Sequence, residues 1–292
     1  MKKNKILKYI LIIFIIIVLV LAFLIFTQKF NKINTNNIEN ESNLNSESSK
    51  LEYELLQVSR LPSSYKAGIP IYMYHYVRDD TGDYEYPENM VKVAEMEKQL
   101  KYISENGFDS IYLTDLDHVY QYEKPVAITY DDGFICVYLY AFPLLKKYNV
   151  KSTIFVIKDL IGTPGYCTVE QLHEMQDSGI VDIQIHTVTH PRLATLNEEK
   201  IRSEISECKK YIEEEFKKEA TILCYPYGSY NSTVIRVAKE LGCTYGLAMT
   251  GGMYYTNVHK DKFAVPRIYA NRSMTINEYI NYLNKSYVDV KW

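Results

Sequence analysis

The feature that most constrains this chain is an alternation of short apolar runs with amphipathic stretches between residues 66 and 285. The apolar runs have the length of buried β-strands, and the stretches between them repeat apolar residues at helical spacing. Strand and helix alternate about seven times, which predicts an α/β fold: a distorted (β/α) barrel of about seven parallel strands. The predicted strands are 69–74, 126–130, 152–157, 182–185, 221–225, 244–249 and 263–268. The predicted helices are 91–106, 138–148, 169–178, 198–216, 232–241 and 276–285.

The N-terminal segment carries a different signal. Residues 9–26 are 18 residues without a charge, and four lysines precede them. At about 1.5 Å per residue this run spans roughly 27 Å, close to the apolar thickness of a bilayer. The lysines favour a cytoplasmic N-terminus and an extracellular remainder. A cleaved signal peptide is the alternative, although no small-residue cleavage site follows Phe26.

These signals divide the chain into four segments. We predict a cytoplasmic basic N-terminus (1–8), one transmembrane helix as an anchor (9–27), a flexible polar tether (28–65) and a folded domain (66–292). The net charge is −3, and without the four N-terminal lysines the remainder has 29 basic and 36 acidic residues. The excess of acidic residues in this remainder of the chain argues against nucleic acid as a partner, because phosphate binding requires clustered Lys and Arg. Five cysteines without CxxC spacing do not determine the compartment.

Carboxylates and imidazoles follow two of the predicted strands. Asp131 and Asp132 end a TYDDG sequence, where two adjacent carboxylates repel unless a cation or proton compensates them. A solvated Asp-Asp-Gly turn is the alternative. His186 and His190, four residues apart, can place both imidazoles on one side of a turn. Together with one aspartate they would form three protein ligands with coordination positions left open, as in catalytic zinc sites.

Two further segments follow predicted strands. The sequence CYPYGSYN at residues 224–231 contains a Pro and a Gly that fix a loop whose backbone N–H groups can face an oxyanion. The alternative is an ordinary turn in which Asn231 caps the next helix. His75 follows the first apolar strand in the sequence MYH. Taken alone, His75 would more often be a structural histidine.

Together these segments resemble the polysaccharide deacetylase family, the NodB-homology domains of carbohydrate esterase family four. TYDDG is similar to that family's TFDDG motif, with Tyr130 in place of Phe. HTVTHP matches its H-[ST]-x-x-H-P motif, and YPYG resembles its proline-tyrosine-glycine loop. The order of the motifs agrees, and the resemblance covers roughly residues 68 to 285.

The resemblance implies a role for each matching residue. Asp131 would be the general base, and Asp132, His186 and His190 would bind one divalent metal ion. Zinc is the ion expected from these ligand types, while Co²⁺ or Ni²⁺ could occupy the same site. The backbone N–H of Tyr227 would belong to the oxyanion hole. Tyr227, with Tyr230 from the same loop, is also expected to contact substrate.

The chain departs from the family pattern in two places. Many members carry a late acid histidine after a leucine, which this sequence lacks. A circularly permuted subgroup acting on exported poly-N-acetylglucosamine has an early MYH-like sequence, and His75 is similar to it, so we assign His75 as general acid. Cys224 stands where the family usually has the arginine that orients the base. Arg267 is the candidate substitute, with a surface arginine as the alternative.

The resemblance implies a metal-dependent enzyme that removes N-acetyl groups from an extracellular N-acetylglucosamine polymer, either exported poly-N-acetylglucosamine or peptidoglycan. Its expected partners are that polysaccharide and the membrane that holds the anchor. Two alternatives stay open. One is an O-acetyl esterase on xylan-like glycans, since both reactions pass through a tetrahedral oxyanion. The other is a wall-glycan-binding protein without turnover, although such a protein would not need Asp131.

Overall fold

The computed structural model describes residues 68–79, 86–255 and 261–285. The predicted basic N-terminus, anchor and tether (1–8, 9–27 and 28–65) lie outside these residues. Within the described ranges, no helix is both long and apolar enough to cross a bilayer. The fold below is therefore that of the predicted folded domain.

The described residues contain ten strands and six α-helices. The strands are β1 (Ile71–Tyr74), β2 (Tyr76–Val77), β3 (Met90–Val91), β4 (Asp109–Ser110), β5 (Pro125–Tyr130), β6 (Ser152–Val156), β7 (Val181–Ile185), β8 (Ile222–Cys224), β9 (Tyr245–Gly251) and β10 (Val265–Tyr269). The helices are α1 (Val93–Glu105), α2 (Phe142–Tyr148), α3 (Val169–Asp177), α4 (Glu198–Phe216), α5 (Ser232–Glu240) and α6 (Ile276–Lys285).

Seven of these strands form a closed parallel ring. Their order is β1, β10, β9, β8, β7, β6 and β5, and β5 pairs back with β1. In that closing pair, Ile71 lies opposite Ala127 and Tyr74 lies opposite Tyr130. The predicted barrel of about seven parallel strands is confirmed. Because all ring strands run in the same direction, their carboxyl ends meet at one rim, where barrel enzymes place their active sites.

The ring is buried on both faces. Every residue of β5, β6 and β7 is buried, including the polar Ser152 and Thr153 of β6 and the polar Asp182 and Gln184 of β7. The helices cover the outside, each with one apolar face. On α4 that face consists of Ile201, Ile205, Cys208, Ile212 and Phe216. These residues are spaced three or four apart, as burial of one helix face requires.

The predicted boundaries of the seven ring strands agree with the structure within about two residues. The predicted helix 138–148 is divided into two parts. Residues Val137–Ala141 form a π-helical turn, and the α-helix begins only at Phe142. Pro143 has no N–H to donate to the carbonyl of Leu139, so the regular ladder cannot pass through this point. The short strands β2, β3 and β4 were not predicted, because two residues are too few to show a periodicity.

Candidate active site

The carboxyl ends of the ring strands surround a cavity of about 340 Å³. Six residues that the sequence singled out line it: His75, Asp131, Asp132, His186, His190 and Tyr227. They follow β1, β5, β7 and β8, which are spread along about 150 residues of sequence. The parallel ring brings them together because each lies just beyond the end of its strand.

Asp132, His186 and His190 form one compact cluster. Asp132 Oδ1 lies 3.2 Å from His186 Nε2 and 3.3 Å from His190 Nε2. One ligand atom from each residue lies within 4.8 Å of the other two. Asp132 and His190 both have a positive φ, 73° and 62°, which non-glycine residues seldom adopt. Such strain persists only where the surrounding structure imposes it, and it is characteristic of functional sites.

Hydrogen bonds outside the cluster hold both imidazoles in place. His186 Nδ1 lies 2.9 Å from the carbonyl oxygen of Cys224, so it donates its proton there and directs Nε2 at Asp132. The loop between the two histidines is fixed by Glu204 on α4. That carboxylate accepts hydrogen bonds from the backbone N–H groups of Val188 and Thr189, both at 2.9 Å.

The chemistry of this cluster fits a divalent metal. It offers two imidazole lone pairs and one carboxylate, and the cavity beside it leaves room for further ligands. Burial disfavours the Asp132 carboxylate, but hydrogen bonds from His186 and His190 outweigh that cost and lower the pKa of Asp132. Asp132 is therefore ionised at neutral pH, as a metal ligand must be.

A second possible ligand set, Asp131, His186 and Cys224, does not fit a metal. The Arg267 guanidinium lies 3.2 Å from Cys224 Sγ and would repel a cation there. Burial also raises the pKa of the Cys224 thiol, which disfavours the thiolate that metals bind. Within the described part of the chain, the cluster around Asp132 is therefore the better metal site.

Arg267 is completely buried and forms a two-pronged ion pair with Asp131. Its Nη1 donates to Asp131 Oδ1 at 2.7 Å and its Nη2 to Oδ2 at 2.8 Å. The remaining donors of the guanidinium bond Thr129 Oγ1 at 3.1 Å, the Ala248 carbonyl at 3.2 Å and Cys224 Sγ at 3.2 Å. Burial would raise the pKa of Asp131, but the charge and hydrogen bonds of Arg267 outweigh it and lower that pKa.

His75 faces Asp131 across the cavity. Its Nε2 lies 3.9 Å from Asp131 Oδ2, too far for a direct hydrogen bond. The ring is almost fully buried, and its Nδ1 has no hydrogen-bond partner among the described residues. Burial lowers the pKa of His75, the nearby Arg267 and His186 lower it further, and Asp131 opposes them.

The loop after β8 presents Tyr227 to the cavity but not Tyr230. Tyr227 has a φ of 56°, and its ring centroid lies 4.6 Å from that of His190. The Arg192 guanidinium also lies over the Tyr227 ring, 4.3 Å from its centroid. Tyr230 was expected to contact substrate; instead its ring stacks on Tyr225 at 4.8 Å, and it does not line the cavity. Stacking on the buried Tyr225 accounts for the position of the Tyr230 ring.

Sequence reasoning did not identify half of the cavity's lining. These further residues are Tyr86, Glu88, Asn89, Arg192, Met249 and Tyr269. Arg192 and Tyr269 each lie two residues from a residue that was singled out, so proximity in the sequence could have indicated them. Tyr86, Glu88 and Asn89 come from the segment before β3, which has no recognisable motif.

Comparisons with known proteins identify the family of this chain. The family model described as polysaccharide deacetylase matches residues 118–246. YxkH of Bacillus subtilis (strain 168), assigned to the polysaccharide deacetylases, is 31% identical over 222 residues, which cover 71% of this chain and 76% of YxkH. The chain belongs to the polysaccharide deacetylase family. The family predicted from the motifs is thereby confirmed, and the protein is a deacetylase enzyme.

Two further relatives resemble the deacetylase over most of its folded domain. The poly-beta-1,6-N-acetyl-D-glucosamine N-deacetylase of Staphylococcus aureus (strain MRSA252) is 26% identical over 197 residues, covering 61% of this chain and 67% of that enzyme. The structure of the Streptococcus pyogenes deacetylase PplD in complex with acetate superposes with a TM-score of 0.69 at 25% identity. It covers 75% of this chain and 99% of PplD.

Proposed function

We propose that this deacetylase removes N-acetyl groups from an extracellular N-acetylglucosamine polymer in a metal-dependent hydrolysis. The observation that carries the proposal is the placement of Asp131 beside the cluster of Asp132, His186 and His190. It puts a buried carboxylate next to a site suited to a cation, with His75 Nε2 3.9 Å from that carboxylate. The name of the Staphylococcus aureus relative supports a polymer of N-acetylglucosamine as the substrate.

The cluster of Asp132, His186 and His190 would hold the metal. Zinc suits two imidazoles and a carboxylate, and Co²⁺ or Ni²⁺ could use the same donors. When bound, such an ion polarises a carbonyl oxygen and makes a nearby water more acidic. The cavity beside the cluster is large enough to admit an acetamide group.

Asp131 is the proposed proton acceptor. Its carboxylate is ionised because Arg267 lowers its pKa, and the two-pronged ion pair fixes its orientation. As water adds to the acetamide carbon, Asp131 takes the proton that the water loses. Arg267 is a positioning residue in this scheme, since it acts through Asp131.

Tyr227 is the proposed oxyanion donor through its backbone N–H. The positive φ of Tyr227 sets the orientation of the peptide groups in this loop, and its N–H has no acceptor among the described residues. Gly228, also at positive φ, lets the loop approach Met249 closely, because a Cβ there would lie 3.0 Å from that side chain. A preorganised donor stabilises the negative oxygen that forms when water adds to the carbonyl.

His75 is the proposed proton donor. The carbon–nitrogen bond can break only if the departing nitrogen gains a proton, and the products are then acetate and a free amine. The 3.9 Å gap between His75 Nε2 and Asp131 Oδ2 separates the proposed donor from the proposed acceptor, and both line the same cavity. A group bound in this cavity can therefore be reached by both side chains.

His75→Ala is the variant that tests the acid. We expect acetate release from N-acetylglucosamine oligomers to fall by about 10²- to 10⁴-fold, because that is the usual contribution of a positioned acid. Bound metal, measured by elemental analysis, should stay at the wild-type level. Loss of the metal together with activity would instead place His75 among the metal ligands.

Substrate comparison tests the proposed reaction itself. Wild-type enzyme loaded with Zn²⁺ is expected to release acetate from N-acetylglucosamine oligomers and to act at least about tenfold more slowly on acetylated xylan. A tenfold preference in the opposite direction would assign the chain to the O-acetyl esterases. Binding of the oligomers without release of acetate from either substrate would favour the glycan-binding alternative.

The proposed location rests on the sequence. The uncharged run at residues 9–26 and the lysines before it support a single-pass anchor with the catalytic domain outside the cell. Protease added to intact cells is expected to digest the domain, and detergent should be needed to extract the full chain. A domain that stays protected until the cells are lysed would contradict this location.

A further inference from the structure

The loop that follows β7 and carries His186 and His190 has a strained backbone. Thr187 has a φ of 71° and His190 a φ of 62°. Non-glycine residues seldom adopt a positive φ, and for a β-branched residue such as Thr187 this conformation is an outlier. Such strain persists only where the surrounding structure imposes it. The geometry that brings His190 beside Asp132 therefore needs contacts from outside the loop.

The two imidazoles are oriented in different ways. The ring of His186 is held by the hydrogen bond from its Nδ1 to the carbonyl oxygen of Cys224. His190 Nδ1 has no hydrogen-bond partner among the described residues, and its Nε2 lies 3.3 Å from Asp132 Oδ1. A histidine that binds a metal is usually oriented through its second ring nitrogen. Apart from ring contacts with His186 and Tyr227, the position of His190 therefore depends on the backbone of its loop.

Glu204 on α4 holds this loop from outside. Its Oε2 accepts hydrogen bonds from the backbone N–H groups of Val188 and Thr189, both at 2.9 Å. Its Oε1 accepts a third hydrogen bond from Thr189 Oγ1 at 2.6 Å. Successive N–H groups that converge on one acceptor form a concave site for an anion, and hydrogen bonds to an ionised acceptor are stronger than neutral ones. The loop therefore uses both oxygens of the Glu204 carboxylate.

The other hydrogen bonds of the loop cannot replace this carboxylate. The N–H groups of Lys158 and Asp159 donate to the carbonyls of Thr187 and Val188, both at 3.1 Å, so they hold the opposite edge of the loop. The N–H of His190 donates to Thr187 Oγ1 at 3.1 Å, a hydrogen bond within the loop itself. Within the described part of the chain, no other side chain from outside the loop accepts from the N–H groups of residues 188–190.

We propose that Glu204 is a positioning residue of the metal site, which acts on His190 through the loop between the two histidines. The inference rests on the proposed function, because it takes His190 to bind the metal. Glu204 does not line the active-site cavity, so it is not expected to touch substrate. Its loss should weaken metal binding although all three ligands remain, and it should change the chemistry of the loaded site little.

Glu204→Ala is expected to weaken Zn²⁺ binding by about 10- to 100-fold, the usual effect of losing a residue that orients a metal ligand. Glu204→Gln should keep much of the affinity, since its amide oxygen can accept from the two N–H groups and its amide nitrogen can donate to Thr189 Oγ1. The affinity is measured by competition with a chromophoric chelator. Once saturated with Zn²⁺, both variants should release acetate with a kcat close to that of the wild type. A kcat that stays low at saturation would overturn a role limited to positioning.

Glu207→Ala is the matched control. Glu207 lies on the same helix, is exposed and accepts a hydrogen bond from Ser203 Oγ, so the substitution removes the same side chain without touching the loop. Its Zn²⁺ affinity should equal that of the wild type. Hydrogen exchange in the metal-free proteins gives a second measurement. The amides of Val188 and Thr189 should exchange faster in Glu204→Ala than in this control, and equal exchange would contradict the proposal.

A double-mutant cycle tests whether Glu204 acts through His190. In a His190→Ala background, adding Glu204→Ala should weaken Zn²⁺ binding little further, because the ligand that Glu204 positions is already gone. Two independent effects would instead add in full. Full additivity would therefore overturn the proposed route through His190.

The positioning role and the proposed function fail in different measurements. Equal Zn²⁺ affinities of the wild type and Glu204→Ala, or a loss that Glu207→Ala shares, would overturn the positioning role and leave the proposed function intact. The wild type tests the metal site itself. If it did not bind Zn²⁺, or if His186→Ala bound Zn²⁺ equally well, the proposed function would fail and the inference about Glu204 would fail with it.

Discussion

Asp131→Asn is expected to slow acetate release by about 10²- to 10⁴-fold, because an amide cannot take a proton from water. The variant keeps the size of the side chain and leaves the Asp132 cluster untouched, so bound metal should stay at the wild-type level. The Arg267 guanidinium would lose its charged partner in a fully buried position. Removing one member of a buried pair costs about 3–5 kcal/mol, so we also expect a lower melting temperature.

Asp182→Asn is the matched control for this variant. Asp182 is a buried aspartate on β7 that pairs with Lys218, far from the strand end that carries His186. It should lower the melting temperature of the protein as Asp131→Asn does, yet leave kcat close to the wild-type value. If the two variants lost activity in proportion to their stability, Asp131 would have a structural role rather than a catalytic one.

His186→Ala is expected to weaken metal binding by more than about 100-fold and to reduce acetate release to background. Even substitution of a residue that only orients a metal ligand typically costs 10- to 100-fold in affinity. Removing the metal from wild-type protein with a chelator should give the same loss of activity, and adding Zn²⁺ should restore it. In His186→Ala the same addition should restore little.

His173→Ala is the control histidine for metal binding. His173 lies on α3, is half-buried and pairs with Glu215 on α4 at 2.9 Å, outside the active-site cavity. This variant should bind metal and release acetate as the wild type does. Unchanged metal content in His186→Ala, measured against this control, would contradict the assignment of Asp132, His186 and His190 as the metal site.

Local sequence patterns predicted most of the fold. Strands buried on both faces are mostly apolar, so β5 and β6 could be found as short apolar runs. Strand β7 could be found too, although Asp182 and Gln184 alternate with its apolar residues. The α4 boundaries were predicted without error, because Asn197 caps the helix and its apolar residues keep helical spacing. Helix α2 was predicted to begin at residue 138 but begins at Phe142. Pro143 interrupts the helical hydrogen bonding there, although the helical spacing of apolar residues continues.

The separate motifs also indicated which residues meet, because each follows a strand end. Chemistry alone grouped His186 and His190 with one of two adjacent aspartates, and the family resemblance selected Asp132. The structure places the ligand atoms of these three residues within 4.8 Å of one another. Tyr230 shows the limit of that reasoning. It shares a short loop with Tyr227, but nothing in the sequence indicates that its ring turns to stack on Tyr225.

By itself, the sequence determined the type and position of the main elements and the chemical groups at their ends, because both depend on residues close together in the chain. Only the tertiary structure decided that Arg267 is buried beside Cys224, and that His75 lies close to Asp131. These pairs are separated by 43 and 56 residues and meet only because the strands close into a ring.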